Sequence, residues 1–496
     1  MPLYPDAHTP TAGRSGCPTR SPLHALLVLP LLATALPTAL AVTAANAQDK
    51  KVLTLWAGDY TPSSLLPAGN NPDEPAIEGI GPVVEAYEQL HPDVDIQIIA
   101  QPINSDTRRW MVTQLTGEVA PDIMWTQPDW AMEDYDKGWL VALEPWLSKP
   151  NPYVDAGEPG SEKWHDQFLT SMDFWTAPDG NHYVVLADQL QTGFYYNKDL
   201  FEQAGITEVP ETWEQLMDAA QKLQDAGIFP FATSGNNLDQ VTWVSGWLSQ
   251  FYFHDMIDTL DTDGDGAVTA METAQAVEEG TYSFDDPRNR ERLEQLKRYS
   301  EYWQSGALGA NMDAARRLFV TGRAGMFLNG TWNYQSIKQD PQRDFELGVF
   351  YYPKLDSGTS DMLSDDIPIT NKSTGYGSLQ YAVTSSAERN DVVDTAMDFL
   401  MFLTTPENLT PMIVEGGFAL PAVKNTEGNP DLAEFAPSIA APPAAFQSDD
   451  SMLDFEFAQA FLAIITPYLS GSQDIDETVR RLDEAAADAA DRVLEG

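Results

Sequence analysis

Cysteine and basic residues are scarce in this 496-residue sequence. The one cysteine, Cys17, precedes a long apolar run near the amino terminus, so the chain beyond that run has no disulfide, thiolate metal site or cysteine nucleophile. Lys and Arg total 28 against 75 Asp and Glu, which gives a net charge of −47. Such an acidic surface repels nucleic acid and anionic lipid, and we therefore exclude both as partners.

Common catalytic motifs and later membrane spans are also missing. The few histidines are scattered without H-E-x-x-H spacing, and neither G-x-S-x-G nor a phosphate-cradling glycine loop occurs. No segment after the amino-terminal run has the roughly 20 uninterrupted apolar residues that a spanning helix needs. These absences count against the commonest hydrolase and nucleotide-binding mechanisms, and against direct membrane insertion.

The amino terminus has the three parts of a secretory signal peptide. Arg14 and Arg20 precede the apolar run 23–42, and Ala45-Asn46-Ala47 provides small residues at a cleavage site. This order predicts cleavage after Ala47 and export to the periplasm. Because Cys17 comes before the apolar run, a lipid anchor on it is not expected.

Strand and helix patterns alternate through the rest of the chain. The first are strand 52–56, helix 80–90, strand 94–99, helix 108–115 and strand 121–125. A second series has strands 183–186, 193–196, 325–328 and 347–350, and helices 213–223, 243–253, 288–303, 391–404, 454–469 and 475 onward, with a surface loop at 429–450. Alternation of this kind predicts an α/β fold with largely parallel sheets, whose ligands lie beyond the carboxyl ends of the strands.

The segment DTDGDGAVTAME at 261–272 has the spacing of a twelve-residue calcium loop. Its predicted ligands, in loop order, are Asp261, Asp263, Asp265, the carbonyl of Ala267, Thr269 and Glu272, with Gly266 at the sharp turn. Oxygen ligands around a tight glycine turn suit a hard cation of calcium's size. The competing interpretation is an acidic turn in an acidic protein. Since no partner loop is visible, we expect Ca²⁺ to have a structural role.

Five segments follow one another in an order shared with a known family. They are FYYNKDLFEQAGITEVPETWEQLMDAAQKL (194–223), AARRLFVTGRAGMFLNGTW (314–332), YAVTSSAERNDVVDTAMDFLMFLTTPEN (381–408), GGFALPAVKN (416–425) and YLSG (468–471). Together they resemble the extracellular solute-binding proteins that include the maltose-binding protein, the substrate-binding components of ABC sugar importers. The resemblance covers essentially the whole chain after the signal peptide.

The resemblance implies two three-layer α/β lobes, joined by hinge crossings, that close on a ligand (the type II periplasmic binding fold). Carried onto this sequence, lobe one would hold 48–187 and 354–420, and lobe two 188–353 and 421–496 with the calcium loop. The implied function is capture of a carbohydrate or glycosylated osmolyte, without catalysis, for delivery to an inner-membrane ABC permease. The chain is expected to act as a monomer.

The resemblance also implies which side chains hold the ligand. Sugars offer hydroxyls to short polar groups and C–H faces to aromatic rings. The candidates are Asp59, Trp125, Asp129, Trp130, Asp188, Trp243, Trp332 and Gly417. For the tryptophans the competing interpretation is a core position, and for the acids a helix cap or turn.

Two other functions stay open at this point. Paired carboxylates are easily found in so acidic a chain, so a periplasmic carbohydrate-active enzyme is one alternative. A binding protein for a cationic solute such as a polyamine is the other. Tyr60 stands where the family can place a basic residue, which argues against a strongly anionic ligand.

Overall fold

The computed structural model describes residues 50–66, 76–101, 107–169, 172, 175–177, 179–262, 264, 268–370, 377–435 and 453–495. The predicted signal peptide, three predicted calcium ligands (Asp263, Asp265 and Ala267) and most of the predicted loop 429–450 lie outside these residues. Within the described ranges, no helix combines the length and apolar character needed to cross a bilayer.

Strands and helices alternate along the described chain. The strands are β1 Lys51–Trp56, β2 Val94–Ile98, β3 Ile123–Trp125, β4 Val185–Leu186, β5 Asp188–Gln189, β6 Thr192–Asn197, β7 Phe229–Ala232, β8 Ala324–Gly330, β9 Leu347–Phe350, β10 Gln380–Val383 and β11 Leu420–Pro421. The helices are α1 Gly81–Leu90, α2 Thr107–Thr116, α3 Pro128–Asp134, α4 Glu144–Leu147, α5 Lys198–Gln203, α6 Trp213–Asp225, α7 Leu238–Tyr252, α8 Ile257–Leu260, α9 Ala270–Glu279, α10 Pro287–Ser300, α11 Met312–Val320, α12 Tyr334–Lys338, α13 Ser385–Arg389, α14 Val393–Leu403, α15 Pro406–Gly416, α16 Phe455–Leu469 and α17 Ile475–Glu495.

The first lobe is built on a five-stranded sheet with the order β2-β1-β3-β10-β4. Strands β1, β2 and β3 are parallel, and β10 is antiparallel to both β3 and β4. Four of the five strands therefore point the same way, in agreement with the predicted α/β fold. A single apolar cluster, which includes Leu53, Ile123 and Val383 from the strands and Phe399 from α14, forms the core of this lobe.

The second lobe has a four-stranded sheet with the order β7-β8-β6-β9. Here β6 is antiparallel to its neighbours β8 and β9, while β7 and β8 are parallel, so the sheet is mixed. Its central strands are buried along their whole length, as expected for a sheet covered on both faces. The terminal helices α16 and α17 pack into the core of this lobe.

A short ribbon of β5 and β11 lies where the chain passes between the lobes. Leu355, Leu363 and Ile367 pack in the second lobe's core, although the predicted boundary assigned them to lobe one. The Trp247 indole donates to the Pro353 carbonyl at 2.9 Å, which fastens this segment to α7.

The carboxyl ends of the key strands in both sheets face the crossing. In the first sheet β4 runs parallel to β1 and β3 and leads directly into β5. In the second, β6 begins three residues after β5, and its first residue, Thr192, pairs with Gly330 at the end of β8. Loops that follow β1, β3 and β8 therefore lie at the edges where the two lobes meet.

Candidate functional site

The first wall of the candidate site follows β1 and β3. Gly58 has φ +57°, and a β-carbon added to it would lie 2.5 Å from the Trp125 ring, so the indole rests directly on the backbone. Trp125 also meets Trp56 and Trp130 edge to face, with ring centroids 5.6 and 6.0 Å apart. The predicted residues Asp59, Trp125 and Trp130 are thus brought to one edge of the sheet.

Two carboxylates on this wall have raised pKa values. The residue Asp59 is exposed to solvent, but the surrounding protein buries its carboxylate. This burial raises the pKa of Asp59, while a 2.8 Å hydrogen bond from the Ser378 hydroxyl acts in the opposite direction. Asp129 lies in the first turn of α3, and burial raises its pKa to about 6. Two carboxylates at the same edge of the sheet can accept hydrogen bonds from hydroxyl groups.

Two polar atoms of this wall lack hydrogen-bond partners within the described residues. They are Asp129 Oδ1 and Trp125 Nε1, an acceptor and a donor, and both are buried. Leaving such a group without a partner costs roughly 1–3 kcal/mol. A hydroxyl-bearing ligand can pair with both kinds of atom, because a hydroxyl donates and accepts.

The second wall follows β8 and the start of α7. Trp332 is 40% exposed, and its ring lies edge to face with Trp243 at a centroid distance of 5.7 Å. Any side chain on Gly330 would overlap the Trp332 ring, so this indole, like Trp125, packs on a glycine. The structure brings the predicted residues Trp243 and Trp332 together and leaves a large aromatic surface in contact with solvent.

The sequence interpretation missed Asp239, which lies in the first turn of α7, one helical turn before Trp243. Asp239 as a whole is exposed to solvent, but the surrounding protein partly buries its carboxylate and so raises its pKa. A helix amino terminus favours the charged form, so the raised pKa shows that surrounding protein dominates here. The signal that could have identified it is its i, i+4 spacing from a candidate tryptophan.

Asp188, another predicted ligand residue, lies inside the protein. It is fully buried on β5, and its carboxylate accepts hydrogen bonds from the backbone N–H groups of Ser378 and Leu379, both at 2.7 Å. Its second oxygen accepts from the Tyr60 hydroxyl at 3.1 Å. These bonds engage both carboxylate oxygens inside the protein.

Gly417 is a point of close approach between elements of the two lobes. It ends α15 with φ +63°, a conformation that suits glycine. A side chain at this position would overlap the Gln335 amide on α12, one turn beyond Trp332. The predicted residue therefore lies near the second wall, and its contribution is its lack of a side chain.

The described calcium-loop residues are joined by helix capping. Glu272 accepts four hydrogen bonds, from the backbone and hydroxyl groups of Thr262 and of Thr269, at distances between 2.5 and 2.9 Å. Asp261 accepts from the Gly264 N–H at 2.7 Å. In the part of the chain that the structure describes, no three His, Cys, Asp or Glu side chains are grouped as for a metal ion.

Comparison with known proteins gives matches over much of the chain. The model of a family described as bacterial extracellular solute-binding protein matches residues 72–410. The Multiple sugar-binding protein of Streptococcus mutans is 25% identical over 217 residues, which is 43% of this chain and 45% of that protein. The putative ABC transporter periplasmic-binding protein YcjN of Escherichia coli is 21% identical over 234 residues, 47% and 46% of the two chains. The matched region thus spans less than half the length of either of these two relatives.

Solved structures share the fold over nearly their whole length. The cyclic α-maltosyl-1,6-maltose binding protein of Arthrobacter globiformis has a TM-score of 0.61 at 20% identity, with 89% of this chain and all of that chain covered. A family 1 extracellular solute-binding protein from Bifidobacterium longum subsp. infantis has a TM-score of 0.60 at 17% identity, with 88% and 99% covered. At these identities the likeness concerns the two-lobed fold alone.

Proposed function

Because this chain belongs to the bacterial extracellular solute-binding protein family, we propose that it captures a carbohydrate between its lobes and delivers it to an ABC permease of the inner membrane. The ligand is a mono- or oligosaccharide, or a glycosylated osmolyte, taken up in the periplasm. The observation that carries this proposal is the exposed Trp332, which pairs with Trp243 directly after β8. The sugar-binding names of its relatives support the same class of ligand.

The two walls supply complementary parts of a carbohydrate site. Asp59 and Asp129 on the first wall, and Asp239 on the second, accept hydrogen bonds from sugar hydroxyls. Trp332 stacks on the C–H face of a ring, and the Trp125 N–H donates to a ring or hydroxyl oxygen. Lobe rotation about the crossing brings the walls together, which removes the sugar from water and strengthens each polar contact.

The proposal is tested by calorimetry of the purified protein with a panel of neutral sugars, glycosylated osmolytes and polyamines. We expect saturable binding of an intact sugar, which chromatography recovers unchanged. Consumption of the sugar would instead favour the carbohydrate-active enzyme. Binding of a polyamine with no response to any sugar would favour the cationic solute.

Replacing Asp59 with asparagine provides the matched variant for this test. Asparagine keeps one acceptor oxygen and the side-chain shape, but loses the negative charge that strengthens hydrogen bonds to sugar hydroxyls. We expect a rise in the sugar Kd of roughly 10-fold, in line with about 1.5 kcal/mol for a bond to a charged group. Asp179→Asn is the control, because Asp179 is a solvent-exposed acid before β4 that accepts from the Tyr183 hydroxyl at 2.7 Å; this variant should leave Kd unchanged.

We also propose that the loop 261–272 binds calcium in a structural role. The oxygen-rich spacing supports it, and so does the position of the loop, whose last residues begin α9, a helix that packs against the terminal helix α17. The four hydrogen bonds to Glu272 occupy about all the acceptor sites of one carboxylate. A bound ion would have to displace some of these donors, so calcium and helix capping compete for Glu272.

Calcium is therefore expected to raise the melting temperature, and chelator to lower it. At a free calcium concentration 100 times Kd the stabilisation is about 2.7 kcal/mol, or several degrees. Thermal unfolding of Glu272→Gln separates the two roles, because glutamine still caps α9 but is a poor calcium ligand. This variant should lose the calcium response, whereas Glu278→Gln on the exposed face of α9 should keep it. A wild-type protein indifferent to both additions would contradict the proposal.

A further inference from the structure

The first crossing is anchored to the first lobe by a buried carboxylate. Asp188 on β5 accepts from Ser378 N–H, Leu379 N–H and the Tyr60 hydroxyl. The Ser378 partner lies 190 residues further along the chain, just before β10. The carboxylate therefore fixes the backbone that leads into a central strand of the first sheet.

Ser378 joins this anchor to the candidate ligand site. While its backbone N–H donates to Asp188, its hydroxyl donates to Asp59 Oδ2 at 2.8 Å. Ser378 itself is fully buried, whereas Asp59 is exposed at the first wall. One residue thus connects a buried acid on the crossing with a solvent-reached acid in the site.

The packing around this connection leaves little room for movement. A β-carbon on Gly377 would overlap the Asp188 backbone and lie 2.5 Å from its Oδ1. Ala187, next to Asp188, donates its N–H to the Leu379 carbonyl and accepts from the Ala422 N–H, at 2.9 and 3.1 Å. The crossing strand, the segment before β10 and the returning chain at β11 are therefore tied together by backbone hydrogen bonds.

We propose that Ser378 is a positioning residue for Asp59, and that Asp188 on the crossing holds Ser378 in place. The inference rests on the proposed function, in which Asp59 accepts a hydrogen bond from the sugar. Ser378 donates to one oxygen of Asp59 and so directs the carboxylate toward the site. Since Asp188 lies on the crossing, Ser378 connects the ligand contact at Asp59 to the segment about which the lobes rotate.

The electrostatic surroundings give this role a specific signature. The titratable groups that face Asp59 among the described residues are Asp188, Tyr60 and Tyr381, none of which is a cation at neutral pH. The Ser378 hydroxyl lowers the pKa of Asp59, in opposition to burial. Without that hydroxyl the pKa of Asp59 rises, and the charged acceptor is lost at a higher pH than in the native protein.

Ser378→Ala tests the inference through the pH dependence of sugar binding. The sugar identified by calorimetry is titrated from pH 4 to pH 8, and the midpoint below which affinity falls is measured. We expect this midpoint to move upward by about 1 pH unit, the equivalent of one hydrogen bond to a charged group. Ser378→Cys keeps a weak donor at the same position and should give an intermediate midpoint. If the alanine variant fails to fold, the shift of the midpoint in Ser378→Cys still tests the inference.

Ser283→Ala is the matched control. Ser283 donates to Asp483 at 3.1 Å in the second lobe, which is the same kind of bond outside the site. This variant should keep the wild-type midpoint. The inference would be overturned if Ser378→Ala changed the sugar Kd by the same factor at every pH, with no shift of the midpoint, or did not change it at all. Failure of the wild-type protein to bind any sugar would instead remove the proposed function itself.

Discussion

Replacing Trp332 with alanine is expected to weaken sugar binding by about 1–3 kcal/mol, or roughly 5- to 150-fold in Kd. The substitution removes both the stacking face and the apolar surface that the ligand would cover. Since Trp332 is 40% exposed and lies at the end of β8, the protein loses little of its own core packing. Calorimetry should therefore show lower affinity while the melting temperature stays close to that of the wild type.

Two further variants make this result specific to the position of the ring. Gly330→Ala keeps the indole but pushes it off the backbone, and should weaken binding without deleting any aromatic surface. Trp146→Ala removes a partly exposed tryptophan that donates to Asp394 elsewhere in lobe one. Equal losses in the Trp146 and Trp332 variants would show that the effect is general destabilisation. Unchanged affinity in Trp332→Ala would exclude its ring from the site.

Replacing Asp188 with alanine is expected to lower the free energy of unfolding by about 2–4 kcal/mol. The variant leaves the N–H groups of Ser378 and Leu379 buried without their acceptor, and each such group costs roughly 1–3 kcal/mol. Asp188→Asn keeps an acceptor oxygen for these two donors, so it should lose much less. Denaturant unfolding at pH 7 checks the difference. Similar stability of the two variants would show that the acceptor role is unimportant.

The same pair of proteins gives a pH dependence with a definite sign. Burial, aided by the charge of Asp59, raises the pKa of Asp188 from 3.8 to about 7, although its hydrogen bonds act in the opposite direction. The folded protein therefore holds a proton that the unfolded chain releases between about pH 4 and pH 7. The contribution of protonated Asp188 to the free energy of unfolding is fully present below about pH 4 and is lost as the pH rises through 7.

Asp188→Asn removes this titration. The stability of the wild type relative to the variant should therefore fall between about pH 4 and pH 7, as measured by denaturant unfolding at each pH. Parallel stability profiles for the two proteins would contradict the raised pKa. Because asparagine keeps the acceptor oxygen, the comparison isolates the ionisation from the hydrogen bonds.

Local patterns allowed most elements to be predicted from the sequence. Helix α6, predicted at 213–223, is the clearest case: Thr212 caps its amino terminus and completes a capping box with Gln215. The predicted strand 325–328 is the centre of β8, and the fold class is confirmed. These elements are specified by residues within one or two turns of each other, so their signals are visible in a short window.

The parts that sequence reasoning missed depend on distant contacts. The hydrogen bonds of Asp188 could not be predicted from the sequence, because its partners Tyr60 and Ser378 are 128 and 190 residues away. The packing of Leu355 in the second lobe's core was not visible either, because an apolar residue does not reveal from the sequence which core it joins. Asp239 was missed because its carboxylate is buried only by the residues that surround α7 in the folded protein.

The glycines beneath Trp125 and Trp332 have a consequence for how this protein can change its ligand. At both positions the indole packs against main chain that carries no β-carbon, so the position of the ring is set by the backbone. Enlarging residue 58 or 330 would eject the aromatic ring before it altered the fit to a sugar. Natural or engineered shifts in selectivity should therefore arise mainly through exchange of the acidic residues around these rings, with both glycines retained.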